Sequence, residues 1–348
     1  MTKEKLAQND ISDMRTLGED LAPRWQNLLT EIAEETGFIP DWDRIRKSVW
    51  WKTEKIGAVS CHGTIRKDGE IFPAVLKIQG TKPQASEVDI ISAFEAQNKS
   101  KIIRTTKIYA SLPWSEDQQF EAFVAEDVNG KAIVGHRPAF DEELEDFFNL
   151  YEEYRANCRN TPWIEKGVQK TYREKYEGWR AAVGNIVKDD KFGLPEDEQL
   201  VAKAVEIIER DIDDSDLEFV HGHLTPGDLL RVSPDEVVIF SNLFWGWRIP
   251  FYDAVFGYHW HMLGMEHAEN LTEELWLKER DRWQEKIFSI SEVKNNPENE
   301  RFIKLALLER VMPALMADRF MMDQTKPSAE LITKLVRNEL QSLVSELS

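Results

Sequence analysis

The sequence predicts an α+β fold with two lobes, the first built on a small antiparallel sheet and the second largely helical. Three observations support this prediction. Residues 56–128 contain short β-like runs around one amphipathic helix. Most of the chain after residue 128 has helical periodicity. Within that helical part, residues 219–240 form a loop followed by a short β-run, an insert large enough to carry a catalytic site.

The composition disfavours several classes of protein. The 44 basic and 63 acidic side chains give a formal net charge of −19, which disfavours binding to nucleic acid or to anionic membranes. The 2 cysteines are far apart, so neither a disulfide framework nor a cysteine-based zinc site is expected. No apolar run approaches the ~18 residues that span a bilayer, and the start lacks the apolar stretch of a signal peptide. We therefore expect a cytoplasmic protein whose partners are small molecules, nucleotides or other proteins.

Residues 1–48 are predicted to form an N-terminal helical extension, because apolar side chains recur there at helical spacing. The residues of this stripe are Leu21, Trp25, Leu28, Leu29 and Ile32. Residues 49–128 are assigned to the sheet lobe. In that lobe, Ile71–Ile78 is apolar apart from Lys77, and Glu87–Gln97 has an apolar helical face. Phe120, Ala122 and Val124 alternate with other residues as in a strand.

Residues 129–348 are assigned to the helical lobe. Three apolar stripes predict its first helices, and helices resume from about Tyr252. The stripes are Leu144, Phe147, Phe148, Tyr151 and Tyr154; then Val168, Tyr172, Tyr176, Trp179 and Val183; then Leu200, Ala204, Val205 and Ile208. The acidic residues between 142 and 153 are interpreted as a solvated helix face. Asp253 is interpreted as the N-cap of the helix that follows it.

Residues 219–228 read FVHGHLTPGD, and the short β-run Val237–Phe240 follows them. This stretch resembles the catalytic loop of the aminoglycoside phosphotransferase and choline kinase-like family, which has the protein-kinase-like fold. In that family His-Gly-Asp is followed by four residues and then Asn, and the next strand ends in a metal-binding Asp. Pro250–Asp253 is similar to the family's Pro-x-Tyr-Asp helix start. The resemblance implies a bilobal kinase-like fold.

The resemblance also implies that the sheet lobe binds ATP. Lys77 corresponds to the phosphate-binding lysine and Glu87 to its helical partner, with Glu95 as the rival for that role. Glu126 and Val128 lie in the segment that resembles the family's hinge and would bind the nucleotide. A lysine in an apolar strand is costly to bury without a partner, which favours this role for Lys77 over an exposed position on an edge strand.

The sequence departs from the family at each catalytic position. His223 replaces the base Asp, and Asp228 stands at the metal-binding Asn position. At the strand end, Ser241 replaces the metal-binding Asp, or Asn242 does so if the register shifts by one. Neither side chain carries the charge that helps to hold Mg²⁺. Residues 55–64, in the position of the glycine loop, lack the spacing of a phosphate cradle and predict an ordinary hairpin.

Two His-x-His pairs raise the alternative of a zinc site. They are His221 with His223, and His259 with His261. The second pair falls in a predicted helix, where side chains at i and i+2 diverge by about 200°. We therefore disfavour zinc and interpret His221 as a structural, hydrogen-bonding residue. The tryptophans at 245, 247 and 260 are expected to pack between helices or in the core.

These residues predict a pseudokinase whose cleft binds a nucleotide or small molecule or serves a protein partner. Loss of the base and of a metal ligand would each cost about 10²-fold or more in rate. ATP binding is then expected with weak or no dependence on Mg²⁺. One alternative is an active ATP-dependent phosphotransferase on a small hydroxyl compound, with His223 orienting the hydroxyl, Asp228 holding Mg²⁺ and Lys77 holding the phosphates. A second alternative is a non-catalytic scaffold with a closed cleft.

Overall fold

The computed structural model describes residues 23–48, 58–79, 86–118, 120–135, 137–163, 166, 169–186, 194–240, 244–316 and 318–348. The chain divides into two compact units. The first comprises residues 1–96, 104–130 and 238–243, and the second comprises residues 97–103, 131–237 and 244–348. Among the described helices, none combines the length and apolar character needed to cross a membrane.

The first unit is built on a five-stranded sheet in which every neighbouring pair of strands is antiparallel. The helices and strands up to residue 126 are α1 (Pro23–Thr36), β1 (Phe38–Ser48), β2 (Ala58–Lys67), β3 (Glu70–Gln79), α2 (Glu87–Gln97), β4 (Ile103–Thr105), β5 (Ile108–Leu112) and β6 (Glu121–Glu126). The strand order in the sheet is β1-β2-β3-β6-β5. The predicted strands near 71–78 and 120–124 and the predicted helix Glu87–Gln97 are therefore present.

One face of this sheet forms the core of the first unit. Consecutive residues of a strand point to opposite faces, and between Ala74 and Ile78 of β3 the even-numbered side chains are the buried ones. They join an apolar cluster with α1 that contains Leu29, Ile32, Ala33, Phe38, Ala74, Leu76, Ile78 and Val124. Because Lys77 lies between Leu76 and Ile78, its side chain is directed to the opposite face.

The prediction of a helix over the first 48 residues is wrong for the last part of that range. α1 ends at Thr36, and Gly37 follows it with a φ of 73°, the left-handed conformation that commonly ends a helix. The chain then forms β1, which pairs with β2. Phe38 is 4% exposed and belongs to the apolar cluster, so it is buried by the sheet, and the helical stripe that supports the prediction ends before it at Ile32.

Two members of the predicted N-terminal stripe, Leu29 and Ile32, are each 1% exposed, as expected for a helix that covers a sheet. Leu28 is partly buried against the same cluster. Leu21 and the side chain of Trp25 lie outside the described residues. The amphipathic pattern therefore locates the buried face of α1 correctly, although it does not locate the end of the helix.

The second unit is mostly helical. Its helices and strands are β7 (Lys131–Ala132), α3 (Asp141–Asn160), α4 (Tyr172–Ile186), α5 (Pro195–Asp211), β8 (Glu218–Val220), β9 (Leu229–Ser233), β10 (Glu236–Ile239), β11 (Gly246–Arg248), α6 (Tyr252–Gly264), α7 (Glu273–Phe288), α8 (Ser291–Asn295), α9 (Glu298–Val311) and α10 (Pro327–Leu347). The end of β10 belongs to the first unit. All five residues of the predicted stripe on α3 are buried, between 0 and 6% exposed, which confirms the helical period read from the sequence.

Short strands hold the two ends of the loop at residues 221–228. β8, before the loop, pairs with β11 through Val220↔Gly246. β9, after the loop, pairs with β7, and the Ile133 N–H donates a hydrogen bond to the Pro226 carbonyl (3.2 Å) within the loop. The predicted β-run at 237–240 appears as β10. These pairings fix the loop at the edge of the helical core.

Candidate functional site

The first part of the site is an ion pair between β3 and α2. The Lys77 Nζ donates to both carboxylate oxygens of Glu87, at 2.6 and 2.8 Å. The Lys77 side chain is 21% exposed and the Glu87 side chain is 2% exposed, so the pair is largely shielded from water. The rival Glu95 is engaged elsewhere, because its Oε2 accepts from the backbone N–H and the hydroxyl of Thr105. The partner of Lys77 is therefore Glu87.

A second acidic residue supports this pair. The Glu121 Oε1 accepts a hydrogen bond from the Glu87 backbone N–H at 3.2 Å. Burial, and to a lesser degree the charge of Glu87, raises the pKa of Glu121 above its ordinary value. The negative charge of Glu87 next to it therefore opposes a second buried negative charge on Glu121.

The predicted hinge has a well-defined hydrogen-bond pattern. The Glu126 carboxylate binds the Arg104 guanidinium through two hydrogen bonds of 2.7 and 2.9 Å. Burial acts to raise the pKa of Glu126, but the hydrogen bonds and charge of Arg104 outweigh it and lower that pKa. Among the described residues, no group accepts a hydrogen bond from the Val128 N–H. The Glu126 side chain is thus held by Arg104, whereas the Val128 N–H donates to none of the described groups.

Sequence reasoning gave no role to the side chains of His62, in the predicted hairpin, and Asp127, in the predicted hinge segment. The His62 Nδ1 lies 3.0 Å from the Asp127 Oδ2, and the Arg44 Nη2 lies 3.0 Å from the same ring nitrogen. A single ring nitrogen can donate to Asp127 or accept from Arg44, but it cannot do both at once. His62 is paired with Val75 across β2 and β3, so it lies on the same sheet face as Lys77.

The loop of the second unit is anchored by a buried carboxylate. Asp253 accepts hydrogen bonds from the Gly222 N–H (2.9 Å) and from the Tyr154 hydroxyl (2.7 Å). The Tyr154 oxygen in turn accepts from the His221 N–H at 2.7 Å. Burial raises the pKa of Asp253 in spite of these bonds. The interpretation of Asp253 as a helix N-cap is wrong, because Phe251 occupies the N-cap of α6 and the Asp253 carboxylate binds the loop instead.

Gly222 has a backbone conformation that few other residues adopt. Its φ is +72°, and a Cβ at this position would lie 2.2 Å from the Phe244 carbonyl oxygen. His221 next to it is fully buried and contacts the Trp245 ring edge-on, with ring centres 5.2 Å apart. This placement agrees with a structural role for His221 and with core packing for Trp245.

His223 is enclosed by three aromatic rings. Its ring centre lies 4.8 Å from that of Phe244, 4.5 Å from that of Phe256 and 5.4 Å from that of Trp260. Its side chain remains 27% exposed, and its Nδ1 lies 3.7 Å from the Asp228 Oδ2. That distance is longer than a hydrogen bond, so the two side chains are neighbours without a direct hydrogen bond. The structure therefore brings the predicted base position and the predicted metal position together.

Asp228 is held by its own loop. Its Oδ2 accepts from the Thr225 backbone N–H (2.8 Å) and hydroxyl (2.6 Å). Burial acts to raise the pKa of Asp228, but the neighbouring His223 and His221 and the Thr225 hydrogen bonds outweigh it and lower that pKa. Asp228 is therefore a stable anion, with one carboxylate oxygen engaged by Thr225.

The other predicted metal-ligand position is not among the described residues. Ser241 and Asn242 lie outside the described residues, as does the first part of the predicted hairpin at 55–64, whose later part forms β2.

In the second histidine pair, the His261 Nε2 lies 3.0 Å from the Glu279 Oε1. His259 is fully buried, and burial, together with the charge of Arg310, lowers its pKa well below the usual value. The described part of the chain contains no group of three or more His, Cys, Asp or Glu that could hold a metal ion.

No protein-family model matches the sequence, and no curated protein matches it significantly. Solved structures do share its fold. The amicoumacin kinase hAmiN, in complex with AMP-PNP, Ca²⁺ and Ami, has a TM-score of 0.54 at 13% identity, covering 99% of this chain and 96% of that chain. The aminoglycoside phosphotransferase APH(4)-Ia has a TM-score of 0.51 at 11% identity, covering 91% of this chain and 99% of that chain. At such identities the likeness concerns the fold, and it confirms the predicted α+β, protein-kinase-like fold class.

Proposed function

We propose that this protein binds ATP and is a pseudokinase, with phosphoryl transfer impaired at the loop of residues 221–228. The observation that carries nucleotide binding is the Lys77–Glu87 ion pair, since a lysine held by a buried carboxylate is a fixed positive charge for phosphate oxygens. None of the described groups accepts a hydrogen bond from the Val128 N–H. This N–H would donate a hydrogen bond to the nucleotide base at the hinge.

Impairment follows from the chemistry of His223. A carboxylate at the base position accepts the proton of the attacking hydroxyl and contributes a negative charge, whereas a neutral imidazole contributes no charge. The rings of Phe244, Phe256 and Trp260 surround His223 and restrict its movement. Its exchange for the family's Asp is the main reason to expect slow transfer.

Magnesium, which the fold implies, would have one anchor among the described residues. The Oδ2 of Asp228 is engaged by Thr225, and no described group donates to its Oδ1. Asp228 therefore fits as one oxygen ligand, and bound Mg²⁺ would neutralise phosphate charge there. The other expected ligand position is the neutral Ser241, so we expect ATP binding to depend little on the metal.

A second candidate, an active ATP-dependent phosphotransferase, is favoured by the contact between His223 and Asp228. With Nδ1 facing the Asp228 carboxylate at 3.7 Å, the Nε2 would be left to accept a proton. In that reaction the substrate hydroxyl oxygen bonds to the γ-phosphorus of ATP, the bond from that phosphorus to the bridging oxygen breaks, ADP leaves, and the hydroxyl proton passes to His223. The structures of similar fold were determined with AMP-PNP and a small molecule, Ami in one case and hygromycin B in another.

Thermal unfolding with nucleotide separates the two candidates. We expect ATP to raise the melting temperature by a similar amount in EDTA and in Mg²⁺, with no ATP turnover above background. Lys77→Met should abolish the shift, whereas Lys67→Met, a lysine on the β2–β3 hairpin, should leave it intact. A shift that requires Mg²⁺, together with steady turnover, would establish the active enzyme instead. No shift at all would remove the nucleotide site from the proposal.

A further inference from the structure

The face of the five-stranded sheet that carries Lys77 also carries a histidine that the proposed function does not use. Directly opposite residues of antiparallel strands share a face, as do alternate residues of one strand. His62 lies opposite Val75, Val75 lies opposite Ala125, and Lys77 is two residues after Val75. These four residues therefore share one face, which we call the Lys77 face, and all of them belong to the first unit.

On this face, His62 and Asp127 are joined across β3. Asp127 follows β6, and its backbone N–H donates to the Pro73 carbonyl of β3 at 3.2 Å. His62 belongs to β2, on the other side of β3, and its Nδ1 lies 3.0 Å from the Asp127 Oδ2. The two side chains are 19 and 22% exposed. The Lys77 face thus has the ion pair of Lys77 with Glu87 at one position and the His62–Asp127 pair at another.

The spacing of these two positions suits a nucleotide. Residues on adjacent strands that are offset by two positions, as His62 and Lys77 are, lie about 7–8 Å apart. In a nucleotide, one ribose separates the base from the phosphates, a span of this order. Val75 is half-buried and Ala125 is 7% exposed, so apolar side chains lie beside both positions. A nucleotide with its phosphates at Lys77 can therefore place its planar base on this apolar part of the face, beside His62.

The contacts of His62 determine which of its ring nitrogens is the acceptor. In a neutral imidazole one nitrogen donates and the other accepts, and the hydrogen bond made by one decides the role of the other. The Asp127 carboxylate can only accept, and its backbone is held at Pro73. The Arg44 Nη2, which is 3.0 Å from the same Nδ1, ends a long side chain that is 55% exposed and can turn to solvent. The Nδ1 therefore donates to Asp127, and the Nε2 is an acceptor.

We propose that His62 recognises the base of the bound nucleotide, with its Nε2 accepting a hydrogen bond from the amino group at position 6 of adenine. None of the described residues hydrogen-bonds to this nitrogen. Guanine and hypoxanthine have a carbonyl oxygen at position 6, which is an acceptor and would face the acceptor Nε2. Asp127 is the positioning residue, because it keeps the proton on Nδ1. This inference rests on the proposed function for nucleotide binding, and adds selection of ATP over ITP and GTP.

A matched pair of nucleotides tests the selection. We would measure calorimetric binding of ATP and of ITP to the full chain in EDTA, at about pH 8 so that the imidazole is neutral. We expect ATP to bind about tenfold or more tightly than ITP, because ITP brings an acceptor to an acceptor. The Val128 N–H also suits the N1 of adenine better than the N1–H of hypoxanthine, so variants are needed to assign the preference to His62. Equal affinities for ATP and ITP would overturn the proposal.

His62→Phe keeps a planar ring and removes the acceptor. It should weaken ATP binding by about threefold to tenfold and leave ITP binding unchanged or tighter. In Asp127→Asn the amide can donate to Nδ1 and shift the proton to Nε2, so ITP should gain relative to ATP. A purely structural role of the two residues would weaken both nucleotides alike.

Arg44→Gln is the matched control, because Arg44 contacts the same ring nitrogen without holding its proton. It should leave the ratio of the ITP and ATP dissociation constants unchanged. A ratio that stays at the wild-type value in both His62→Phe and Asp127→Asn would contradict the role of His62. A ratio that changes in Arg44→Gln but not in Asp127→Asn would place the proton on Nε2 and would also overturn the proposal.

Failure of this inference is distinguishable from failure of the proposed function. If ATP and ITP bind equally well and Lys77→Met abolishes the binding of both, nucleotide binding stands and the role of His62 is wrong. If neither nucleotide binds to the wild-type chain, the proposed function and the role of His62 are both wrong.

Discussion

The carboxylate of Asp253 holds the backbone of Gly222, with 2.9 Å between its Oδ1 and the Gly222 nitrogen. The two residues are 31 positions apart in sequence, and Tyr154 from α3 completes the arrangement with a hydrogen bond to the other carboxylate oxygen. The backbone of the loop at residues 221–228 is therefore held by Asp253 and Tyr154. These two residues are present whether or not the loop retains catalytic side chains.

The first prediction concerns the Tyr154 hydroxyl. Tyr154→Phe should lower the free energy of unfolding by about 1–3 kcal/mol, because Asp253 loses a donor and the His221 N–H loses its acceptor in a buried place. Urea unfolding measures this change. Tyr176→Phe is the matched control, since none of the described residues hydrogen-bonds to that hydroxyl, and should change stability by less than about 0.5 kcal/mol. Equal effects of the two variants would contradict the role of Tyr154.

The second prediction concerns Gly222. Gly222→Ala should destabilise the protein by at least about 2 kcal/mol, because the left-handed conformation disfavours a side chain and the Cβ would meet the Phe244 carbonyl. For the control variant Gly178→Ala we expect the opposite change in stability. A Cβ at Gly178, inside α4, meets nothing within 4 Å, so alanine there should stabilise the protein by about 0.5–1 kcal/mol. Thermal unfolding of both variants distinguishes strain at Gly222 from a general effect of alanine.

A third prediction concerns the pH dependence of stability. Glu339 on α10 is buried and accepts hydrogen bonds from Tyr258 on α6 and Gln284 on α7. Burial raises its pKa to about 7, while Tyr258, Gln284 and the charge of Arg280 act to lower it and the charge of Asp281 acts to raise it. The folded state therefore binds the proton of Glu339 more tightly than the unfolded state does.

The sign of the effect follows from that difference. The stabilisation by protonated Glu339 is complete below the unfolded pKa, near 4.5, and is lost as the pH rises through about 7. Its size is on the order of 3 kcal/mol. Glu339→Gln should flatten the decline in unfolding free energy between pH 5 and about 8, whereas Glu330→Gln, at an exposed position of α10, should not. An unchanged profile in Glu339→Gln would show that other groups cause the decline.

The fourth prediction tests whether impairment resides in the substituted catalytic positions. The double variant His223→Asp with Ser241→Asp should raise ATP turnover by about 10²-fold or more over the wild-type background, because it restores a carboxylate base and a charged metal ligand. Each single variant should recover less. Unchanged turnover in the double variant, with the nucleotide-induced melting shift retained, would show that the defect lies elsewhere in the chain.

Apolar patterns in the sequence were sufficient to predict the strand and the helix that carry Lys77 and Glu87. They were not sufficient to predict the side-chain contacts between these two elements. The apolar run Ile71–Ile78, interrupted only by Lys77, and the apolar face of Glu87–Gln97 locate β3 and α2, since both patterns reflect burial. The choice between Glu87 and Glu95 could not be made in this way. Both carboxylates lie on the same helix, and only the position of α2 against the sheet decides which one reaches Lys77.

The wrong or missing predictions for Asp253 and for His62 with Asp127 also concern contacts between residues far apart in the sequence. An aspartate at a helix start is a local signal for an N-cap, but Asp253 binds Gly222 across 31 residues, which no local pattern reveals. The contact of His62 with Asp127 spans 65 residues and was missed for the same reason. In β1, apolar residues that could have continued a helix are used by the sheet because Gly37 ends α1 first.

The covering of the sheet by α1 limits how the protein can be shortened for experiments. A fragment that starts at Phe38 would lack Leu29, Ile32 and Ala33, and the side chains of Leu76 and Val124 would then face water. Contiguous apolar surface of this kind promotes aggregation. Fragments made to study nucleotide binding should therefore retain the chain from Pro23 onwards, even though that helix contributes none of the proposed ligand contacts.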